Sequence, residues 1–309
     1  MSKRFAGKRV LLSGGASGIG QATAEHFAQE GAHIAIGDID MAGAQRIANK
    51  LNGHAFSYDA RDPQAAVQLV ASAAEAMGGV DVLLNIAGIM TWGRFEETSP
   101  EAWQKTLDIN LSGPFYLCQA ALPQLKLTKG CVVNVASVGG VHPVYGTAAY
   151  GISKAGVIAM TQAASLEWAR HGIRVNAVAP GGVATPMHEK STAGGGVDPA
   201  IFVEAAGRNM PKLTDRDACT PAEIATAIAY LASEDARYAT GTVLILDADP
   251  ARRPRHQRVP LGHELGSEHD RVGRVAAQRD RAPLLEGVHE FLAIGALQDE
   301  TGGRTIGCR

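Results

Sequence analysis

Short apolar runs alternate with segments of helical period through the first 250 residues of this chain. "KRVLLSGG" ends in glycines and leads into "IGQATAEHFAQEGA", whose apolar positions recur at helical spacing until Gly31. The unit returns as "HIAIGD" before "MAGAQRIANKL", "HAFSYD" before "PQAAVQLVASAAEAM", and "DVLLNIAG" before the helical stretch around "PEAWQKTLDINLSGPFYLCQAAL". "GCVVNVAS" with a long helix near 149 to 170, "IRVNAVAP", the helix "PAEIATAIAYLAS" and a last strand "GTVLIL" complete the series. Strands that are apolar throughout are buried on both faces, and intervening helices are what a parallel sheet requires. The expectation is an α/β fold: a doubly wound, Rossmann-type parallel sheet in three α/β/α layers. It forms a single domain over 1–250, followed by an atypical C-terminal tail over 251–309.

At 309 residues with 46% hydrophobic content, the chain can bury one large core. A formal charge of -2 gives no reason to expect nucleic acid or an anionic membrane as a partner. Cys118, Cys131, Cys219 and Cys308 are widely spread, with no C-x-x-C pair and no zinc spacing. That pattern argues for a reducing compartment and against a metal or disulfide framework. No apolar run is long enough to span a bilayer, and the N-terminal stretch breaks into glycines too soon for a signal peptide. A soluble, cytoplasmic protein without a metal site is expected.

In "SGGASGIG", Gly14, Gly18 and Gly20 close the first strand and open the first helix. Bare backbone N–H groups and the helix dipole favour a pyrophosphate there, although glycines also serve any tight strand-to-helix reversal. The spacing is G-x-x-x-G-x-G, not the dinucleotide fingerprint G-x-G-x-x-G. Asp38, at the end of the second strand, adds a carboxylate suited to both hydroxyls of an adenosine ribose and repulsive to a 2'-phosphate. No arginine or lysine stands at 15 to 19 or beside Asp38, so NAD is favoured over NADP. Asp59 either meets the adenine amine or caps the helix ahead of Pro63.

"AAYGISKAG", residues 148 to 156, sets Tyr150 and Lys154 four positions apart. On a helix the two share a face, and a nearby ammonium lowers a phenol's pKa from its ordinary value of about 10. Such a phenol is an acid/base near neutral pH, though the same spacing also occurs by chance on amphipathic helices.

Together with "NIAG" at 85 to 88, "IN" at 109 and 110, "NVAS" at 134 to 137, "YGISK" at 150 to 154 and "RVNAVAPGGVATPM" at 174 to 187, these residues carry a family resemblance. From about Phe5 to Asp247 the chain resembles the short-chain dehydrogenase/reductase family, in its single-domain branch. The resemblance implies that Tyr150 is the general acid/base and that Ser137 holds and polarises the same substrate oxygen. It implies that Lys154 lowers the pKa of Tyr150 and bonds the nicotinamide ribose, and that Asn110 kinks its helix and anchors a water leading to Lys154. Cofactor contacts implied by the motifs are Gly14, Ser17, Gly18, Ile19, Gly20, Asp38, Asp59, Ala60, Asn85, Ala87, Gly88, Tyr150 and Lys154. Pro180, Gly181, Val183 and Thr185 fall where the family holds the carboxamide. Ile86 stands where asparagine is common, and Ser13 where threonine is usual.

The implied activity is that of an NAD-dependent alcohol dehydrogenase or carbonyl reductase acting on a secondary alcohol and ketone pair. Two alternatives stay open: an NADP-using 3-ketoacyl carrier-protein reductase, and a non-catalytic dinucleotide-sensing protein on the same fold. Met90, Trp92, Gly139, Gly140, Val141 and Met187 suggest an apolar substrate pocket without a grip for carboxylate or phosphate, and Trp92 serves either packing or contact. Residues 183 to 213, rich in Gly, Pro, Thr and Ser, read as a mobile loop near the site. The resemblance also implies a homo-oligomer, dimer or tetramer. The tail carries ten arginines and no lysine, whereas residues 1 to 250 carry ten arginines and nine lysines. Eight acids balance those arginines, so a nucleic-acid arm is not expected. A loosely packed extension that adds no catalytic group is.

Overall fold

In the computed structural model of the chain, residues 3–192 and 218–247 are described. They belong to the unit Met1–Pro254; the other unit, Arg255–Arg309, lies outside the described residues, as does most of the glycine-rich loop.

Seven strands form one parallel sheet in the order β3-β2-β1-β4-β5-β6-β7. They are β1 (Arg9–Ser13), β2 (His33–Asp38), β3 (His54–Ser57), β4 (Val82–Asn85), β5 (Cys131–Val135), β6 (Arg174–Pro180) and β7 (Val243–Leu246). Among the described residues the α-helices are α1 (Gly18–Gln29), α2 (Met41–Leu51), α3 (Pro63–Met77), α4 (Pro100–Leu107), α5 (Gly113–Thr128), α6 (Ala148–Trp168), α7 (Pro186–Thr192) and α8 (Pro221–Ala232). This is the expected Rossmann-type architecture.

Alternation along β1 divides the core. Val10 and Leu12 face one side with Ile34, Ile36, Phe27 of α1 and Ile224 and Ile228 of α8. Leu11 faces the other with Ala35, Leu83, Leu69 of α3 and Leu117 and Leu125 of α5. β4 and β5 are buried along their whole length, as uninterrupted apolar strands must be. β1 pairs with β2 on one flank and with β4 on the other. Crossovers therefore run in opposite directions on either side of β1, and a crevice opens beyond the carboxyl ends of β1 and β4.

Helix starts follow the capping rule. Asp40, Asp62 and Ser99 accept a backbone N–H at α2, α3 and α4, and Thr220 forms a reciprocal capping box with Glu223 at α8. Two expectations shift here. Asp62, not Asp59, caps the helix that begins at Pro63, and the third strand stops at Ser57, before Tyr58 and Asp59. The long helical stretch after β4 is two helices, α4 and α5, joined by a π turn over Asp108–Ser112. Among the described residues, no helix is long and apolar enough to cross a membrane.

Candidate active site

The turn after β1 is shaped for close backbone approach. Gly14 has φ +77°, and a Cβ there would lie 2.7 Å from the backbone of Ala87, so no other residue fits without a shift. Gly20 packs against the backbone of Gly14. Ser13 Oγ accepts the N–H groups of Ile86 (3.2 Å) and Ala87 (3.3 Å), tying the end of β4 to the turn. Ser17 precedes α1 without a side-chain capping bond, so among the described residues its hydroxyl and the first N–H groups of the helix are open to a ligand.

A cavity of about 470 Å³ opens over this turn. Gly14, Ser17, Gly18, Ile19, Gly20, Asp38, Asp59, Ala60, Ala87 and Gly88 all line it. Asp38 is aimed by two backbone bonds: its Oδ2 accepts from Ala16 N–H and its Oδ1 from Asp40 N–H, each at 2.9 Å. Asp59 is gripped by Arg61, whose Nη2 lies 2.6 Å from Oδ2 and whose Nε lies 2.9 Å from Oδ1. That guanidinium holds the Asp59 carboxyl below its usual range. Sequence reasoning missed Arg61, Lys105 and Tyr58 as lining residues. Arg61 was findable from its place two residues after Asp59; Lys105 arrives from α4, far away in sequence.

A second cavity, of about 250 Å³, shares Ile19, Ile86, Gly88, Thr185 and Met187 with the first. The two are therefore contiguous. Ser137, at the end of β5, and Tyr150 and Lys154, on α6, line the smaller one, with Pro180, Gly181, Val183 and Thr185 on another wall. Ser137 Oγ accepts the N–H of Gly139 at 3.1 Å. Lys154 is 4% exposed; its Nζ donates to the Val135 carbonyl at 2.8 Å and lies 5.9 Å from the centre of the Tyr150 ring.

Charge is costly in this enclosure. Burial pushes the Tyr150 phenol up, and the Ser137 hydroxyl pulls it back. Burial lowers Lys154 to about 8. The spacing in sequence pointed to the ammonium as the group that lowers Tyr150; here the lowering partner is Ser137, and the ammonium is itself depressed. Asn110 lies in the π turn, fully buried. Its Oδ1 accepts from Ile89 N–H (2.8 Å), and its Nδ2 donates to the Ile89 carbonyl (2.9 Å) and to Ser153 Oγ (3.1 Å). Gly88 sits between Asn110 and Lys154: a Cβ on it would come within 3.2 Å of Asn110 Oδ1 and 3.5 Å of Lys154 Nζ.

A family model described as enoyl-(acyl carrier protein) reductase matches residues 14–248. This span takes in the glycine turn, Asp38 and the Asn110, Ser137, Tyr150 and Lys154 set. The chain belongs to the short-chain dehydrogenase/reductase family. A 2,5-dichloro-2,5-cyclohexadiene-1,4-diol dehydrogenase of Sphingobium indicum is 39% identical over 254 residues, covering 80% of this chain and 97% of that protein. Among solved structures, levodione reductase superposes with a TM-score of 0.73 at 32% identity, covering 79% of this chain and 98% of the other. A 3-ketoacyl-(acyl-carrier-protein) reductase from Brucella melitensis complexed with NADH gives 0.70 at 28%, covering 79% and 98%. As a short-chain dehydrogenase/reductase, the protein is an oxidoreductase that uses a nicotinamide dinucleotide.

Two site expectations need correction within this family frame. Asn85 lines neither cavity; it is 2% exposed and its Nδ2 donates to Asn134 Oδ1 (2.8 Å) and Cys118 Sγ (3.3 Å). It joins β4 to β5 and α5 because its side chain alternates away from the crevice. Of the pocket residues, Met90, Trp92, Gly139 and Met187 line the smaller cavity, but Gly140 and Val141 do not. Gly140 is instead pressed on the backbone of α6, where a Cβ would lie 2.5 Å from Lys154 C. Val138, Val144 and Thr147, from the segment before α6, and His188, from α7, also line it.

Proposed function

We propose that the protein is an NAD-dependent dehydrogenase that interconverts a secondary alcohol and a ketone on a small, mainly apolar molecule. The observation that carries this reading is the meeting of Ser137 and Tyr150 at one wall of the smaller cavity, with Lys154 behind them. The larger cavity suits the dinucleotide: the uncommitted N-terminus of α1 faces a pyrophosphate, and Asp38 a ribose. Arg61 lines the same cavity, but Asp59 occupies its guanidinium, which leaves the Asp38 carboxylate to disfavour a 2'-phosphate.

The coenzyme, when bound, supplies the hydride acceptor or donor. In oxidation, Tyr150 takes the hydroxyl proton as the carbinol carbon gives up hydride; in reduction it returns a proton to the carbonyl oxygen. Ser137 donates to that oxygen and fixes its position. The Ser137 hydroxyl eases formation of the phenolate that oxidation requires, and the Lys154 ammonium, charged below a pH of about 8, lies 5.9 Å from the centre of the ring. The cyclohexadiene-diol activity named for the Sphingobium relative supports a cyclic alcohol. A second reading, reduction of a 3-ketoacyl thioester, is favoured by the likeness to the 3-ketoacyl-(acyl-carrier-protein) reductase from Brucella melitensis.

A screen of cyclic alcohols and acyl thioesters with both coenzymes, read by NADH or NADPH absorbance, tests the reading. Oxidation of cyclic alcohols with NAD, and weakly with NADP, is expected. Tyr150→Phe should bind NADH as the wild type does and lose about 100-fold or more in turnover. Retention of a tenth of the rate would remove Tyr150 from the mechanism.

A further inference from the structure

Among the described residues, five ionisable side chains line the larger cavity: Asp38, Tyr58, Asp59, Arg61 and Lys105. Four have a settled place. The N–H groups of Ala16 and Asp40 aim the Asp38 carboxylate, and Asp59 and Arg61 neutralise each other in a 2.6 Å ion pair. Burial pushes the Tyr58 phenol up, so it carries no charge. Lys105, on α4, differs: it is exposed at the cavity and its ammonium makes no hydrogen bond or ion pair among the described residues.

Two acids stand at helical-neighbour spacing from Lys105, and each is engaged elsewhere. Glu101 is held below its usual range by its own backbone N–H and the Ser99 hydroxyl, and Asp108 Oδ1 accepts from Gln104 Nε2 at 2.7 Å. With Asp59 and Arg61 cancelling, the wall keeps one negative charge at Asp38 and one positive charge at Lys105. Asp38 suits ribose hydroxyls, which are neutral, so the ammonium finds no countercharge there. What a dinucleotide brings into the cavity is a doubly negative diphosphate. The glycine turn and α1 meet it with N–H donors and roughly half a positive charge, but "SGGASGIG" contains no lysine or arginine. A full countercharge on a flexible four-carbon stem stands ready only at Lys105.

Resting on the reading of the larger cavity as the coenzyme site, we propose that the Lys105 ammonium binds the diphosphate of the dinucleotide. It acts from α4, while the start of α1 supplies the backbone donors. Lys105 thereby sets coenzyme affinity and takes no part in hydride or proton transfer. Because the side chain is exposed, the attraction weakens as salt is added.

Binding to the full chain, measured without turnover, tests this. NADH is titrated by its fluorescence, and ADP-ribose and adenosine by displacement of NADH, at about 0.05 M and about 1 M salt. ADP-ribose carries the diphosphate; adenosine does not. At low salt Lys105→Gln should bind NADH and ADP-ribose about fivefold more weakly than the wild type, and adenosine within about twofold. At high salt, where screening acts within about 3 Å, the fivefold loss should fall below about twofold. Lys105→Arg, which keeps the charge, should bind all three as the wild type does. Wild-type affinity for ADP-ribose in Lys105→Gln at low salt overturns the proposal, and so does an equal loss for ADP-ribose and adenosine. If the wild type binds NADH and the variant matches it, the coenzyme reading stands and the Lys105 contact falls. If the wild type binds neither NADH nor ADP-ribose, both fall. If the ADP-ribose loss appears but no alcohol is oxidised, the dehydrogenase reading falls and the Lys105 contact stands.

Discussion

Lys154 is buried against the preference of an ammonium for water. An ammonium with an ordinary pKa of 10.5 is lowered to about 8 because the protein around it solvates charge poorly. The folded state thus binds fewer protons than the unfolded state between about pH 8 and 10.5, so this residue makes stability rise with pH across that window. Below about pH 8 the full penalty is present, of order 3 kcal/mol. Urea denaturation of the coenzyme-free protein at a series of pH values should show this rise in the wild type and not in Lys154→Met. Turnover of the variant should collapse if Lys154 serves the proposed reaction. Gly14 gives a second test at this scale. Gly14→Ala puts a methyl against the Ala87 backbone at φ +77°, and should cost about 2 kcal/mol by denaturant midpoint and weaken NADH binding. The sequence made Tyr150 and Lys154 legible because four residues on a helix is a local distance. It could not show that Ser137 tunes the phenol, since thirteen positions separate them and only the packing of β5 on α6 brings them together.

Elements were legible where their signals are local. The start of α8 is written in Thr220, Pro221 and Glu223, and Thr220→Ala, which opens the capping box, should lower stability by about 1 kcal/mol in a thermal or urea melt. The π turn between α4 and α5 had no such local signal and was expected only through the family resemblance, as a kink at Asn110. Its residues, "DINLS", continue the helical pattern on both sides, and what marks the place is a set of bonds from Asn110 to Ile89 and Ser153, on two other segments. The start of α3 shows the same limit more mildly. Sequence reasoning offered Asp59 as the cap, but Asp62 directly precedes Pro63 and takes that place, while Asp59 pairs with Arg61.

For the whole molecule, alternating strand and helix signals were enough to give the sheet, because apolar strands with helical crossovers leave few other arrangements. The seventh strand ends at Leu246 and the family match at residue 248, and among the described residues the sheet and both cavities are built from positions before the arginine-rich segment. A chain ending at Pro250 should bind NADH and turn over alcohol at rates comparable to the full chain. Loss of either would place part of the catalytic unit beyond that point. The strand order β3-β2-β1-β4-β5-β6-β7 has a further consequence for how the protein is made. As the chain leaves the ribosome, β2 can join β1 and β3 can join β2. β4 then takes the open flank of β1, and each later strand docks on the one synthesised just before it. No strand has to be inserted between two that are already paired, so the sheet can be laid down in the order of translation, with a single growing edge from β4 onward.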